Sequence, residues 1–180
     1  LSTDLSNRQP GTVRPFVPDV AIHYRCGDNF VENYGFLPFS AYSTLVPVGA
    51  KTIYVLAESR HRKTSRNHPI KCDAIFDALF AFLQKSFPTA DVVIRRGDDL
   101  YSDLIRLSSA NTTICSVSTF CLWPAYVNPH HAYFPLTKLV ARRDASVDLG
   151  FKWITEPRIV PGVLLENLPN NVVVKKLLSL

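Results

Sequence analysis

At 180 residues, 47% hydrophobic and 19% charged, the chain is long enough for one globular domain with a real core, and no internal repeat or low-complexity tract interrupts it. The net charge of +5 suits an anionic ligand, but the densest basic run, RHRKTSR at 60–66, lacks the interleaved aromatics of a nucleic-acid platform and reads as a solvated loop. No stretch reaches the ~18 apolar residues of a membrane span and the first residues lack a signal-peptide pattern, so a targeting or membrane segment would lie outside this chain.

Residues 1–18 hold three prolines among polar turn-formers and are expected to form an irregular arm, leaving 19–180 as a single α/β domain. Residues 20–25 form the first predicted strand, and a loop leads from 26 through Gly35 and Pro38 to a short helical piece at 39–44. Residues 51–57 (KTIYVLA), apolar on both faces, form the second strand. Ile75, Leu79, Phe82 and Leu83 at helical spacing, widened by Phe76 and Phe80, predict a helix over 70–87 that stops at Pro88. The run at 91–96 is the third strand, closed by Gly97; Arg96-Gly97-Asp98 spells an adhesion tripeptide, but a strand-end turn is the ordinary outcome.

A helix over 101–110, with Leu104, Ile105, Leu107 and Ser108 inward, precedes a fourth strand at 112–117, a helix opened by Ser118, and a fifth strand at 131–136. Adjacent His130 and His131 would point to opposite faces of that strand and read as structural rather than as a metal pair. From Val140 the pattern becomes a less regular packing tail, ending in an apolar run at 172–180 expected to cover the sheet edge or cross to another domain. Strands alternating with helices at this spacing predict a doubly wound, mostly parallel Rossmann-like sheet. The four cysteines fit either buried thiols or one or two disulfides, and with no C-x-x-C among them no zinc site is expected.

Two stretches break off from apolar residues into polar ones as strand ends at a ligand site do: VAIHYRCGD at 20–28 and DLIRLSSANTTICSVSTFCLWPAYVN at 103–128. His23 and Arg25 alternate with Ile22 and Tyr24, so both basic side chains leave the strand on one side, and Arg25 offers a planar fork suited to phosphate oxygens. Ser118 is a candidate N-cap whose helix start faces an anion. The alternative is Arg25 paired with Asp28, His23 satisfied in the core, and Asp103 as a carboxylate complementing a helix dipole.

The H-x-R-x-G-D motif at 23–28, with an S-T-F turn at Ser118, Thr119 and Phe120, resembles the superfamily of alpha-1,2-, alpha-1,6- and protein O-fucosyltransferases, over roughly residues 19–135. The resemblance implies half of a GT-B glycosyltransferase, transferring fucose from GDP-fucose to a glycan or protein hydroxyl without a metal, in the Golgi or endoplasmic reticulum lumen. Arg25 matches the family arginine that contacts the β-phosphate, as the one catalytic residue to be named. His23 and Asp28 match its flanking positions, Asp103 looks like the aspartate that reads guanine, and Ser118, Thr119 and Phe120 match the phosphate-side turn. The second arginine of the family's H-x-R-R-x-D pattern is Cys26 here. With no Met in the chain, we expect a fragment or processed form whose partner domain precedes Leu1. A non-catalytic nucleotide-binding or interaction module descended from this fold is the alternative function.

Overall fold

The computed structural model describes residues 15–27, 30, 34–58, 69–97, 99–137, 150–156 and 159–179. The apolar runs become a six-stranded, all-parallel sheet: β1 (Val20–Tyr24), β3 (Thr52–Ala57), β4 (Asp91–Arg96), β5 (Thr112–Ile114), β6 (His131–Pro135) and β7 (Lys152–Ile154), in the spatial order β4-β3-β1-β5-β6-β7. The chain builds outward from β1 to β4, returns across the sheet, and builds the other way from β5. The switch point therefore falls between β1 and β5, as in a Rossmann-like fold.

Alternation along the strands divides the core into two layers. Val20, Ile22 and Tyr24 of β1 join Ile53, Val55 and Ala57 of β3 on one face, under α1 (Phe39–Leu45), α2 (Pro69–Ser86) and α5 (Asn170–Ser179). Ala21, Tyr54, Leu56, Ala132 and Phe134 lie on the other face, under α3 (Leu100–Ser109) and α4 (Thr119–Val127). Within α2, Ile75, Phe76, Leu79 and Leu83 are buried, and the partly buried Phe82 ring meets Phe39 at 5.6 Å. Each such burial contributes about 1.5–3 kcal/mol, so the stripe rather than helix propensity holds α2 in place.

Three expectations need correction. The fourth strand ends as a ladder at Ile114, not at 117: Cys115 and Ser116 still donate backbone hydrogen bonds, to Tyr133 and His23, but one to each side as the chain leaves the sheet. On α3 the inward face carries the buried Arg106 beside Leu107, while Leu104, Ile105 and Ser108 are only half-buried. The tail is more regular than its sequence pattern. It supplies β7, a two-residue strand β8 (Val160–Pro161) antiparallel to β2 (Gly35–Phe36), a 3-10 turn (Gly162–Leu164), and α5, whose Val173 and Leu177 enter the core one turn apart. Lys71 on α2 fixes this tail by donating to the carbonyls of Leu165, Glu166 and Leu168.

Candidate functional site

A cavity of about 310 Å³ opens at the carboxyl ends of the strands, lined by His23, Arg25, Glu58, Gly97, Leu100, Asp103 and Phe120 together with Tyr24, Leu56 and Ala57. Its size is at the lower end of the range for small-molecule sites. Sheet topology explains the convergence: β1, β3 and β4 end side by side, and α3 and α4 begin over that end.

Of the residues singled out in the sequence, His23, Arg25, Asp103 and Phe120 line this cavity together, although Arg25 and Phe120 are far apart in the chain. Ser118 and Thr119 do not line it. Ser118 is buried and caps α4, its Oγ accepting the Phe120 N–H at 3.3 Å, while Thr119 is exposed. The amide of Phe120 is thus engaged by the cap, so the part of the turn that reaches the cavity is the Phe120 side chain, whose ring lies 5.2 Å from that of His23. Asp28 lies outside the described residues.

His23 is a buried neutral base. Its pKa is pushed down to about 3, by burial first and then by the neighbouring Arg25 charge. The residue that organises it is Ser116, which the sequence reading passed over. Ser116 Oγ accepts the Arg25 backbone N–H at 3.1 Å and lies 3.0 Å from His23 Nδ1. Assigning the single Ser116 hydroxyl proton to Nδ1 satisfies all three groups and leaves the ring proton on Nε2. One hydroxyl at the end of β5 therefore ties the geometry of two residues at the end of β1.

Asp103 sits in the first turn of α3, but the N-cap there is Asp99, whose Oδ1 accepts the Ser102 N–H at 2.9 Å. Asp103 is instead drawn into a mostly buried pair with Arg106, Oδ1 to Nη1 3.3 Å, which orients its carboxylate beside the cavity. Glu58, also missed, is the first charged residue after the apolar run of β3. The rule that picked out Arg25, polar residues just past a buried strand, would have found it. Its Oε1 accepts the Gly27 N–H. Gly97 adopts φ +76° and donates its N–H to the Ala57 carbonyl at 3.1 Å, turning the chain out of β4 at the cavity edge in a conformation that a side chain would strain.

Both loops at the switch point are cross-linked. Cys26, directly after Arg25 and fully buried, is bridged to Cys72 of α2, and Cys115 is bridged to Cys121 of α4 across the Ser116–Ser118 turn. Where the resemblance would place a second arginine, this chain carries half of a disulfide. No family model, curated protein or solved structure matches the chain. Among the described residues, no cluster of His, Cys, Asp or Glu is placed to hold a metal ion, and no helix is long and apolar enough to cross a membrane.

Proposed function

We propose that this chain binds a guanine nucleoside diphosphate sugar in the switch-point cavity and serves as the donor-binding part of a fucosyltransferase-like glycosyltransferase. The observation that carries the reading is the convergence of Arg25, Asp103 and Phe120 on one cavity from the ends of β1, α3 and α4. Arg25 supplies a fork of donors for the diphosphate, and the low-dielectric wall formed by Phe120, Leu100 and Leu56 strengthens that attraction. Asp103, held by Arg106, presents acceptors to the N1–H and amine of guanine.

In transfer, the acceptor hydroxyl oxygen bonds to the sugar's anomeric carbon as the bond from that carbon to the β-phosphate oxygen breaks, the hydroxyl proton passes to water, and Arg25 stabilises the charge that builds on the departing diphosphate. His23 is not assigned as a base, because its pKa of about 3 and its bond to Ser116 make it a weak proton acceptor at neutral pH. Its part is to position the strand end.

A second reading, a nucleotide-binding module without turnover, is favoured by the Cys26–Cys72 bridge standing where the second cation of the family pattern would be. Calorimetry with GDP separates nucleotide binding from its absence. A folded Arg25→Ala variant should lose about 1.5–3 kcal/mol of GDP affinity; unchanged affinity would remove the phosphate assignment. Release of GDP from GDP-fucose in the presence of candidate acceptors then distinguishes the enzyme from the module.

A further inference from the structure

We propose that Asn111 is an N-glycosylation site, modified as the chain enters an oxidising secretory compartment and before the turn between α3 and β5 folds. Two independent observations lead there. The first is a motif at an open place. Asn111-Thr112-Thr113 is the one Asn-x-Ser/Thr sequence in the chain. Asn111 is exposed at the amino ends of the strands, whereas the cavity lies at their carboxyl ends, so an oligosaccharide here leaves the cavity open. The main chain around Asn111 is fixed: its carbonyl accepts the His131 N–H at 3.2 Å, and the Thr112 N–H donates to the Asp19 carbonyl at 2.9 Å. Its side chain is held far less. Nδ2 lies 3.5 Å from Asp19 Oδ1, at the outer limit of a hydrogen bond, while Asp19 Oδ2 accepts the Lys51 and Thr52 amides at 2.8 and 3.1 Å. A substituted amide nitrogen keeps one hydrogen, so a sugar on Nδ2 displaces nothing the fold depends on.

The second is the oxidation state. All four cysteines are buried and paired, and none is free. Such bridges form and persist in oxidising surroundings, and the secretory lumen that supplies them also holds the enzyme that glycosylates asparagine. Thr113 sets the timing. That enzyme must reach the hydroxyl of the third sequon residue, but in the folded chain Thr113 is fully buried, its Oγ1 donating to the Leu107 carbonyl at 2.6 Å and accepting from Asn128 Nδ2 at 3.2 Å. The sequon is therefore readable before α3 and β5 pack together, not after. In the transfer, Asn111 Nδ2 bonds to the anomeric carbon of an oligosaccharide carried on a lipid pyrophosphate. The bond from that carbon to the pyrophosphate oxygen breaks, the lipid pyrophosphate leaves, and the amide gives up one proton to water. The competing account makes Asn111 a turn residue and Thr113 a structural hydroxyl, and predicts no modification.

Translation of the whole chain behind a signal peptide, in the presence of microsomes, tests this. Chains protected from added protease should carry a single glycan, read as one step up in mass that peptide N-glycosidase removes, converting Asn111 to aspartate in the mass spectrum. Asn111→Gln and Thr113→Ala should each abolish the step, and Thr113→Ser, which keeps the hydroxyl, should retain it. Because transfer precedes folding, a variant that fails to fold still reports. Chain refolded with both bridges closed and offered to detergent-opened microsomes should stay unmodified, whereas the reduced, unfolded chain should accept the glycan. If protected chains of the unaltered protein stay unmodified, or the step survives Asn111→Gln, the inference fails. Equal modification of the folded and unfolded chains would overturn the timing.

Discussion

Ser116→Ala is the substitution that most directly tests how the site is held. Ser116 is 3% exposed, and its hydroxyl serves two groups at once: the Arg25 amide at 3.1 Å and His23 Nδ1 at 3.0 Å. Alanine fits the space but leaves both partners unmatched. A buried polar group left without its partner costs about 1–3 kcal/mol. His23, at 8% exposure, should bear the larger share, and the Arg25 amide, in a half-buried residue that water reaches, about 1 kcal/mol. The expected loss is therefore about 2–4 kcal/mol, a large fraction of the roughly 5–15 kcal/mol that holds an ordinary domain. Urea unfolding followed by fluorescence reads this as a lower midpoint at constant slope. Ser118→Ala is the control, since it removes only the α4 cap, worth about 1 kcal/mol. If Ser116→Ala costs no more than Ser118→Ala, the hydroxyl is not the tie between β5 and β1, and the explanation of how His23 and Arg25 are placed is wrong.

Four further outcomes follow from the site. Because the folded His23 pKa, about 3, lies below its ordinary value of 6.5, the unfolded chain takes up the proton first; stability is full above 6.5 and declines as pH falls toward 3. Over the part of that window down to about pH 5 the decline should be about 2 kcal/mol, and it should vanish in His23→Gln if His23 is its source. Cys26→Arg, which would restore the second arginine of the resembling pattern, should unfold or strongly destabilise the domain, because it breaks the Cys26–Cys72 bridge and buries a charge. With 46 residues between its ends that bridge is worth about 4 kcal/mol, against about 2 for the six-residue Cys115–Cys121 closure, so Cys72→Ser should lower the urea midpoint more than Cys121→Ser. Asp103→Ala should shrink the preference for GDP over ADP and UDP in competition binding while sparing the phosphate contribution; a full preference retained would reduce Asp103 to a partner of Arg106.

Most of the sheet was legible because β1, β3, β4 and β6 are five- or six-residue strands rich in apolar residues, and one clear amphipathic helix separates β3 from β4. Residues 52–57 and 91–96 needed only their apolar runs, and α2 only its stripe from Ile75 to Leu83. The tail was not, for a physical reason: β7 has three residues, Lys-Trp-Ile, too few to display alternation, and its place is set by pairing with Tyr133, Phe134 and Pro135. In α5 three consecutive valines favour an extended chain locally, and the helix forms because Val173 and Leu177 reach the core. At the site, Arg25 was visible as a charge just past an apolar segment, whereas Asp103 stood out only through the family resemblance. Ser116 was hidden because a serine inside TTICSV carries no signal until the neighbouring strand supplies His23 and Arg25 as partners.

The two disulfides also bear on how the oxidised chain reaches its native pairing. Four cysteines can pair in three ways. Loop-closure statistics favour ends six residues apart over ends 46 apart by roughly twentyfold, so Cys115 and Cys121 should find each other first. Once they have, only Cys26 and Cys72 remain, and the wrong partners are gone before the long loop needs to close. Each bridge also sits on its own side of the sheet, Cys26–Cys72 in the layer of α2 and Cys115–Cys121 in the layer of α4. Closing the short one therefore leaves the opposite layer at liberty to pack, and the order of oxidation becomes a property of cysteine placement along the chain rather than of any helper.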